Sequence, residues 1–166
     1  MNLLRKFLLN FLLQNIPSCI MRAKVLKVFG ACIGSDCKIE QVILLNYDGN
    51  NLDNLELGQK VYIGAGTILD VKDKLKIGDS TKVAAGCNFS THIDSGKENY
   101  ISTLYPKKES AITIGSNCWL GLGVTILCGV KVGSEVVIGA GSLVNKDIPD
   151  AVIAYGSPVK VIKNIR

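Results

Sequence analysis

Histidine is nearly absent from this sequence, since His92 is the only one among 166 residues. None of the six cysteines forms a C-x-x-C pair, which argues against a zinc site of the usual ligand spacing. No Gly/Ser-rich or proline-rich linker divides the chain, and its length suits one domain. These absences predict a single domain without a metal centre, in which one imidazole is the candidate for acid–base chemistry.

A six-residue repeat occupies most of the chain from Ile33 onward. Each unit has an aliphatic residue, often followed by glycine, and a small or β-branched residue four places after the aliphatic one. A strand alternates with a period of two and an amphipathic helix has a period near 3.6, so a period of six fits neither alone. It predicts short strands joined by tight corners, coiled into a β-helix whose interior is filled by both residue sets.

Both sets can be read directly from the sequence. The aliphatic set comprises Ile33, Ile39, Leu57, Ile63, Leu69, Ile77, Val83, Phe89, Ile114, Leu120, Ile126, Val132, Ile138 and Val144. The second set comprises Cys37, Val61, Thr67, Thr81, Cys87, Cys118, Val124, Val130, Val136 and Ser142. We expect the glycine after the aliphatic residue to permit corner dihedrals that other residues resist. Three sides make one coil, so about five coils are expected before Pro149.

The N-terminal segment is basic and helical in character. The first 35 residues contain five basic residues and no acidic one, whereas the remainder holds 14 of each. Residues 1–31 are predicted to be an amphipathic helical segment. Its apolar side is formed by Leu4, Phe7, Leu8, Phe11 and Leu12. Asn10 interrupts the apolar run, which disfavours a signal peptide, and the run is too short to span a bilayer.

Two interpretations of this segment remain. It can cap the open end of the β-helix, or residues 1–27 can lie as a basic helix on an anionic membrane surface. Nucleic acid is not an expected partner, because the basic residues lack interleaved aromatics and the rest of the chain is neutral.

The repeat is interrupted at His92, is lost through the polar residues 93–111, and resumes at Ile114. A rigid scaffold with one ejected loop and one imidazole at its base predicts an active site. Residues 46–56, rich in Asn and Asp, form a second excursion that is read as a surface loop or as part of a site.

Cys87 lies near His92 in the sequence, so a nucleophile activated by the imidazole is one interpretation. Cys37 and Cys118 hold the same inward slot far from any histidine, which favours a compact core residue instead. Reduced core cysteines also suit the cytoplasm.

An ordered series of short motifs follows the loop. They read IGSNCWLG at 114–121, GV at 129–130, IGAGS at 138–142, KDIP at 146–149 and GSP at 156–158. With this series and His92, the chain resembles the hexapeptide-repeat acyltransferases, and within them the branch of galactoside, maltose and xenobiotic acetyltransferases and polysaccharide O-acetyltransferases. The resemblance implies an all-β fold, a left-handed parallel β-helix over residues 32–166, with an N-terminal α-helix, the extruded loop 93–111 and a C-terminal closing segment.

The resemblance also implies a homotrimer, with acetyl-CoA as co-substrate in a groove between neighbouring chains. The family's acetyl-CoA contacts fall on Leu122, Ala140, Asn145, Lys146 and Lys163, with Trp119 and Gly121 nearby. Lysines suit this role because coenzyme A carries phosphates. Asp70 matches an acidic residue common in the polysaccharide branch, which implies a contact with the acceptor; an ordinary surface aspartate is the alternative.

The predicted function is O-acetyl transfer from acetyl-CoA to a hydroxyl of a sugar or of a cell-surface polysaccharide precursor. His92 would act as general base in a direct transfer, taking the hydroxyl proton as the oxygen attacks the thioester. The alternatives are an acetyltransferase for another small acceptor (serine, an amino sugar or a xenobiotic) and a non-catalytic structural β-helix subunit. The γ-type carbonic anhydrases, built on the same helix, are excluded because they need three histidines to hold zinc. We expect the protein in the cytoplasm; if residues 1–27 bind the membrane rather than only cap the β-helix, the contact is peripheral and at its inner face.

Overall fold

The computed structural model describes residues 3–47, 52–97 and 99–165. Within these ranges, three sheets form the faces of a prism around one continuous hydrophobic core. The chain visits the first, second and third face in turn and then begins the next coil, so strands pair in parallel with strands one coil away. Five coils stack in this way, as the repeat predicts.

Short strands make up each face. The first face contains β1 (Cys32–Ile33), β4 (Leu55–Leu57), β7 (Leu75–Ile77), β12 (Ile112–Ile114) and β15 (Lys131–Val132). The second contains β2 (Lys38–Ile39), β5 (Tyr62–Ile63), β8 (Lys82–Val83), β13 (Trp119–Leu120), β16 (Val137–Ile138), β18 (Val152–Tyr155) and β19 (Lys160–Asn164). The third contains β3 (Ile43–Leu45), β6 (Ile68–Asp70), β9 (Asn88–Phe89), β14 (Thr125–Ile126) and β17 (Leu143–Val144). The antiparallel pairing of β19 with β18 closes the C-terminal end of the second face.

The coils stack in strict register, which places equivalent residues of the repeat above one another. On the first face Leu57 pairs with Ile77, Ile77 with Ile114, and Ile114 with Val132. Every residue of the aliphatic set and of the second set is buried. Since each coil covers the apolar residues of its neighbour, the interior is one core along the whole prism.

Glycine follows the aliphatic residue for a different reason from the one expected. At Gly121 an added Cβ would lie 2.6 Å from the backbone nitrogen of Ala140 on the next coil. The left-handed corner position lies two residues later, at Gly123 with φ 65° and at the equivalent Asn117 with φ 57°. The glycine therefore allows neighbouring coils to approach closely, and the corner dihedral belongs to another residue.

Two helices rather than one form the N-terminal segment, α1 (Leu3–Asn15) and α2 (Cys19–Val28). The break falls at Pro17, and the Ser18 hydroxyl caps α2 by accepting a hydrogen bond from the backbone N–H of Met21 (3.3 Å). Leu26 of α2 is fully buried together with Ile33 and Ile39 of the first coil. The two helices thus cover the first coil at the N-terminal end of the prism, where there is no preceding coil to pack against it.

The predicted apolar side of α1 does not face this core. Leu9 and Leu13 are buried in the continuous hydrophobic core, whereas Leu4, Phe7, Leu8 and Phe11 are exposed. The orientation of α1 is set by its polar contacts with the first coil. One of them is the hydrogen bond from Gln14 Nε2 to the carbonyl of Val42 (2.9 Å). Among the described residues, no helix has both the length and the apolar character required to cross a bilayer.

Arg22 of α2 is the buried cation of this region. Its Nε donates to the carbonyl of Ile39 (2.8 Å), its Nη1 donates to the carbonyl of Ile16, and its Nη2 lies 2.7 Å from Oε2 of Glu40. The guanidinium therefore ties α2 to the first coil and to the end of α1.

Candidate active site

His92 is paired with a buried carboxylate. Its Nδ1 lies 2.6 Å from Oδ2 of Asp70, which is the last residue of β6 on the neighbouring coil. Asp70 is 2 % exposed, whereas the imidazole is 24 % exposed, so the carboxylate lies behind the ring and the ring reaches the surface. The structure thus joins two residues that the sequence separates by 21 others.

Hydrogen bonds hold the Asp70 carboxylate on both oxygens. Oδ2 accepts from the backbone N–H of Thr91 (2.8 Å) and from the Thr91 hydroxyl (3.2 Å). Oδ1 accepts from Nδ2 of Asn46 (2.9 Å) and from the backbone N–H of Lys72 (3.3 Å). Burial alone would raise the pKa of Asp70, but the hydrogen bonds from His92 and Asn46 outweigh it and hold that pKa below its ordinary value. Asp70 is therefore an ionised acceptor at neutral pH.

The charge state of Asp70 determines which ring nitrogen of His92 carries the proton. An ionised carboxylate can only accept, so the 2.6 Å contact requires a proton on Nδ1 of the imidazole. In the neutral ring Nε2 is then the unprotonated nitrogen, with a lone pair available to a substrate. The pair has the arrangement that a general base needs, a base oriented by a third group.

A short hairpin carries His92 out of the coil. Strand β10 (His92–Ile93) pairs antiparallel with β11 (Lys108–Glu109), and the coil resumes at β12. The loop between these strands contains α3 (Tyr100–Leu104), capped by Asn99. The Ser90 hydroxyl donates to the carbonyl of His92 (2.9 Å), which fixes the backbone where the hairpin leaves the coil.

An open pocket of about 370 Å³ lies beside the imidazole. Its lining is polar and comes from α1, the two excursions and the end of β6. The lining residues are Lys6, Asn46, Tyr47, Lys72, His92, Asp94 and Lys107. A polar pocket that contains the exposed edge of an oriented imidazole is suited to bind a hydroxyl-bearing molecule.

The expected acetyl-CoA residues fall on two separate parts of the prism. Asn145 and Lys146 follow β17 on the same edge as His92, which follows β9; two strand spacings, roughly 10 Å, separate these coils. Gly121, Leu122 and Ala140 lie on the other edge of the third face, between the second and third faces. We name these the His92 edge and the Leu122 edge.

Trp119 and Lys163 lie on the second face, beside the Leu122 edge. Trp119 pairs with Val137, Val137 with Ile153, and Ile153 with Lys163, so the two residues share one outward-facing row. The side chains of Trp119 and Leu122 are exposed. One chain thus presents two groups of expected contacts with the third face between them.

Comparisons with known proteins identify the fold and the family. The family model described as bacterial transferase hexapeptide (six repeats) matches residues 111–146. The galactoside O-acetyltransferase of Lactococcus lactis subsp. lactis (strain IL1403) is 37% identical over 146 residues, which cover 86% of this chain and 67% of that protein. The chain belongs to the hexapeptide-repeat acetyltransferase family.

Solved structures of this family have the same architecture. A maltose O-acetyltransferase from Clostridium difficile 630 is 29% identical with a TM-score of 0.84, covering 98% of this chain and 86% of that one. A galactoside acetyltransferase in complex with coenzyme A is 29% identical with a TM-score of 0.83, covering 98% of this chain and 80% of that one. The predictions of the family and of a left-handed parallel β-helix are confirmed.

The cysteines of this acetyltransferase are free thiols, and the inward ones serve as core residues. The Cys87 thiol is fully buried and donates to the carbonyl of Gly121 (3.2 Å). Burial raises its pKa, the opposite of what an activated nucleophile requires. Within the described ranges, no three His, Cys, Asp or Glu side chains gather as metal ligands.

Asp70 is not the ordinary surface aspartate that was the alternative to a contact with the acceptor, because it is 2 % exposed. Both of its oxygens are occupied by hydrogen bonds from the protein, and its side chain is buried, which favours a role behind the imidazole. Sequence reasoning missed the residues that hold it, Asn46 and Thr91. The signal that could have found them is a shared spacing. Asn46 and Thr91 each lie two residues after the inward residue of their strand, Leu44 and Phe89, at the same end of the third face as Asp70.

Proposed function

We propose that this protein transfers an acetyl group from acetyl-CoA to a hydroxyl of a sugar or of a cell-surface polysaccharide precursor, with His92 as general base and Asp70 as its positioning residue. The observation that carries this is the 2.6 Å pair of Asp70 and His92, which is buried on the carboxylate side and open to a polar pocket on the imidazole side. The likeness to sugar O-acetyltransferases over nearly the whole chain supports the reaction class.

The proton balance of the reaction fits this pair. Nε2 of His92 takes the proton of the acceptor hydroxyl as its oxygen attacks the thioester carbonyl. The resulting imidazolium is stabilised by the Asp70 carboxylate, which keeps its charge. When the tetrahedral intermediate collapses, the C–S bond breaks and the imidazolium returns the proton to the coenzyme A sulfur. The ring is neutral again, so no covalent enzyme intermediate is needed.

Acetyl-CoA would lie between neighbouring chains of a homotrimer. The support is the division of its expected contacts between the His92 edge and the Leu122 edge, because the His92 edge of one chain can meet the Leu122 edge of the next. Lys146 and Lys163 would meet the phosphates. Light scattering should give the mass of three chains, and a stable monomer with full activity would rule out the shared groove.

The exposed apolar side of α1 is suited to contact the cytoplasmic face of a membrane. Phe7 is 66 % exposed and stacks on Phe11, with a ring-centroid distance of 6.2 Å. Vesicle sedimentation can test this with Phe7→Ser/Phe11→Ser in the full-length chain, since neither ring is part of the core. The double variant should lose binding to anionic vesicles; equal binding would leave α1 only its capping role.

The reaction itself is tested by following coenzyme A release with sugars as acceptors, alongside calorimetric titration with coenzyme A. Saturable coenzyme A binding that weakens with added salt, together with acetylated product seen by mass spectrometry, is the expected result. No coenzyme A binding at millimolar concentration would refute the proposed function.

A further inference from the structure

Three lysines from distant parts of the chain line the pocket that contains His92. Lys6 comes from α1, Lys72 follows β6 on the second coil, and Lys107 precedes β11 in the extruded hairpin. Among the residues that line the pocket, Asp94 is the only carboxylate. Three separate segments thus bring positive charge to one place, next to the proposed base.

Contacts with other residues of the site position these lysines. The backbone N–H of Lys72 donates to Oδ1 of Asp70 (3.3 Å), the carboxylate that orients the imidazole. Nζ of Lys6 lies 5.1 Å from the ring centroid of Tyr47, another residue of the pocket. Lys107 and Glu109 are two residues apart along β11 and its approach, so their side chains share a side of the hairpin, and Glu109 pairs with His92 in register.

The nearby carboxylates neutralise these charges only in part. Glu109 does not line the pocket, but its Oε1 lies 2.5 Å from Nζ of Lys107 and 3.9 Å from Nζ of Lys72. Among the described residues, no carboxylate lies within ion-pair distance of Lys6. Asp70 is engaged with the imidazole. Three lysines thus lie near two carboxylates, Asp94 and Glu109, and among the described residues only Glu109 forms ion pairs with them.

We propose that the acceptor is an anionic glycan, carrying a carboxylate or a phosphate close to the hydroxyl that receives the acetyl group. This inference rests on the proposed function. A neutral sugar brings no negative charge to these three lysines, so the positive charge that Glu109 leaves unpaired would stay unbalanced. An anionic group among them would form charge-assisted hydrogen bonds, with the acceptor hydroxyl directed to Nε2 of His92.

The phosphates of coenzyme A are the competing anion for these lysines. Lys146 and Lys163, the expected phosphate contacts, lie outside this pocket. The lysines of the pocket surround the base instead, where the reacting hydroxyl has to be. Coenzyme A affinity is therefore the readout that separates the two assignments.

The test compares kcat/KM for three acceptors: methyl β-D-glucopyranoside, methyl β-D-glucuronide and glucose 1-phosphate. The uronide or the phosphate should exceed the neutral glycoside by about tenfold, the effect of one charge-assisted hydrogen bond, and the preference should shrink at high salt. The uronide and the phosphate separate a carboxylate from a phosphate as the recognised group.

Lys6→Gln and Lys72→Gln should each remove most of that preference while the Kd for coenzyme A stays the same. The matched control is Lys108→Gln, which removes the same charge from an exposed residue on the opposite side of β11 and should keep the preference. A weaker Kd for coenzyme A in Lys6→Gln and Lys72→Gln, with the acceptor preference unchanged, would overturn the proposal. So would a neutral glycoside that reacts as well as both anions.

The outcomes separate this inference from the proposed function. Transfer to the neutral glycoside alone would leave the acetyltransferase in place and refute the anionic acceptor. If no glycoside is acetylated, the same three are titrated calorimetrically in the presence of coenzyme A. Tighter binding of an anionic one that depends on Lys72 would support the inference although the reaction had failed, and equal binding would refute it.

Discussion

Arg22 and Asp70 are both charged, both 2 % exposed, and both paired with a residue of another element. Arg22 joins α2 to the first coil, and its partners are two backbone carbonyls and the carboxylate of Glu40. Asp70 joins two coils and the base of the hairpin, and one of its partners is an imidazole that opens into a pocket. Both residues are buried charges. They differ in that the partner of Asp70, His92, opens into a polar pocket.

This difference separates structural from chemical use of a buried charge. The donors of Arg22 end on two backbone carbonyls and one carboxylate, and these contacts hold α2 in place. The Asp70 pair ends on a histidine, the side chain whose ordinary pKa lies near neutrality, and Nε2 of that ring has no hydrogen-bond partner among the residues that the structure describes. Substitutions on the two pairs should therefore affect different measurements.

The largest expected effect is on turnover in His92→Ala. Losing the general base should lower kcat by roughly 10²–10⁴-fold, while the Kd for coenzyme A stays nearly unchanged because a base acts in the transition state. The melting temperature should fall only modestly, since His92 belongs to neither inward set of the repeat and Asp70 keeps its hydrogen bonds from Asn46, Lys72 and Thr91. Kinetics, calorimetry and thermal unfolding of the same preparation provide the comparison.

Two results would contradict the role of His92. Full turnover in a well-folded His92→Ala protein would exclude an imidazole base, because the chain has no other histidine. A fall in melting temperature large enough to account for the lost activity would make His92 a structural residue like Arg22.

The next largest effect is on stability in Arg22→Met. Methionine keeps much of the aliphatic volume, but the carbonyls of Ile16 and Ile39 lose their donor and Glu40 loses its partner. Because Glu40 is 34 % exposed and can be hydrated, the free energy of unfolding should fall by about 2–3 kcal/mol rather than more. Activity per folded molecule should not change. Lys24→Met, an exposed cation of the same helix, should cost less than about 0.5 kcal/mol in urea unfolding.

An Arg22→Met protein that unfolds at the wild-type urea concentration would show that the buried guanidinium adds nothing to stability. A variant that folds normally but turns over slowly would show that α2 influences the site. It would contradict the idea that the Arg22 pair affects only stability while the Asp70 pair affects activity.

The sequence was most informative where the repeat enforces one geometry. Phe89 and Thr81 are inward because a period of six leaves each residue type one place in a coil, so the core and the interruption at His92 could be predicted. The burial of Asp70 could not, because it depends on which residues of adjacent coils stack at the ends of the third face. Phe7 was assigned to an apolar side correctly, but only the contacts of α1 with the coil determine that this side is exposed.

The smallest expected effect, and the one that separates orientation from charge, comes from Asp70→Asn. The amide is the same size, but one of its two groups cannot accept. In one orientation its NH₂ takes the place of Oδ2 and faces both Nδ1 of His92 and the backbone N–H of Thr91. In the other its NH₂ takes the place of Oδ1 and faces the amide NH₂ of Asn46. An NH₂ group toward Nδ1 favours the tautomer with a proton on Nε2. That nitrogen then cannot act as a base, so kcat should fall at least about tenfold.

The stability of Asp70→Asn should also differ from that of the wild type in a way that depends on pH. The folded-state pKa of Asp70 lies below its ordinary value of 3.8, so the stabilisation it provides is fully present above that value and is lost as pH falls through the folded-state pKa. Urea unfolding should therefore show a difference between wild type and Asp70→Asn at pH 6 that becomes smaller near pH 3, since asparagine does not titrate. A constant difference across this range would mean that the carboxylate's charge is irrelevant to folding. Wild-type turnover in a stable Asp70→Asn protein would mean that His92 is oriented by the hairpin alone, and Asp70 would then resemble Arg22 after all.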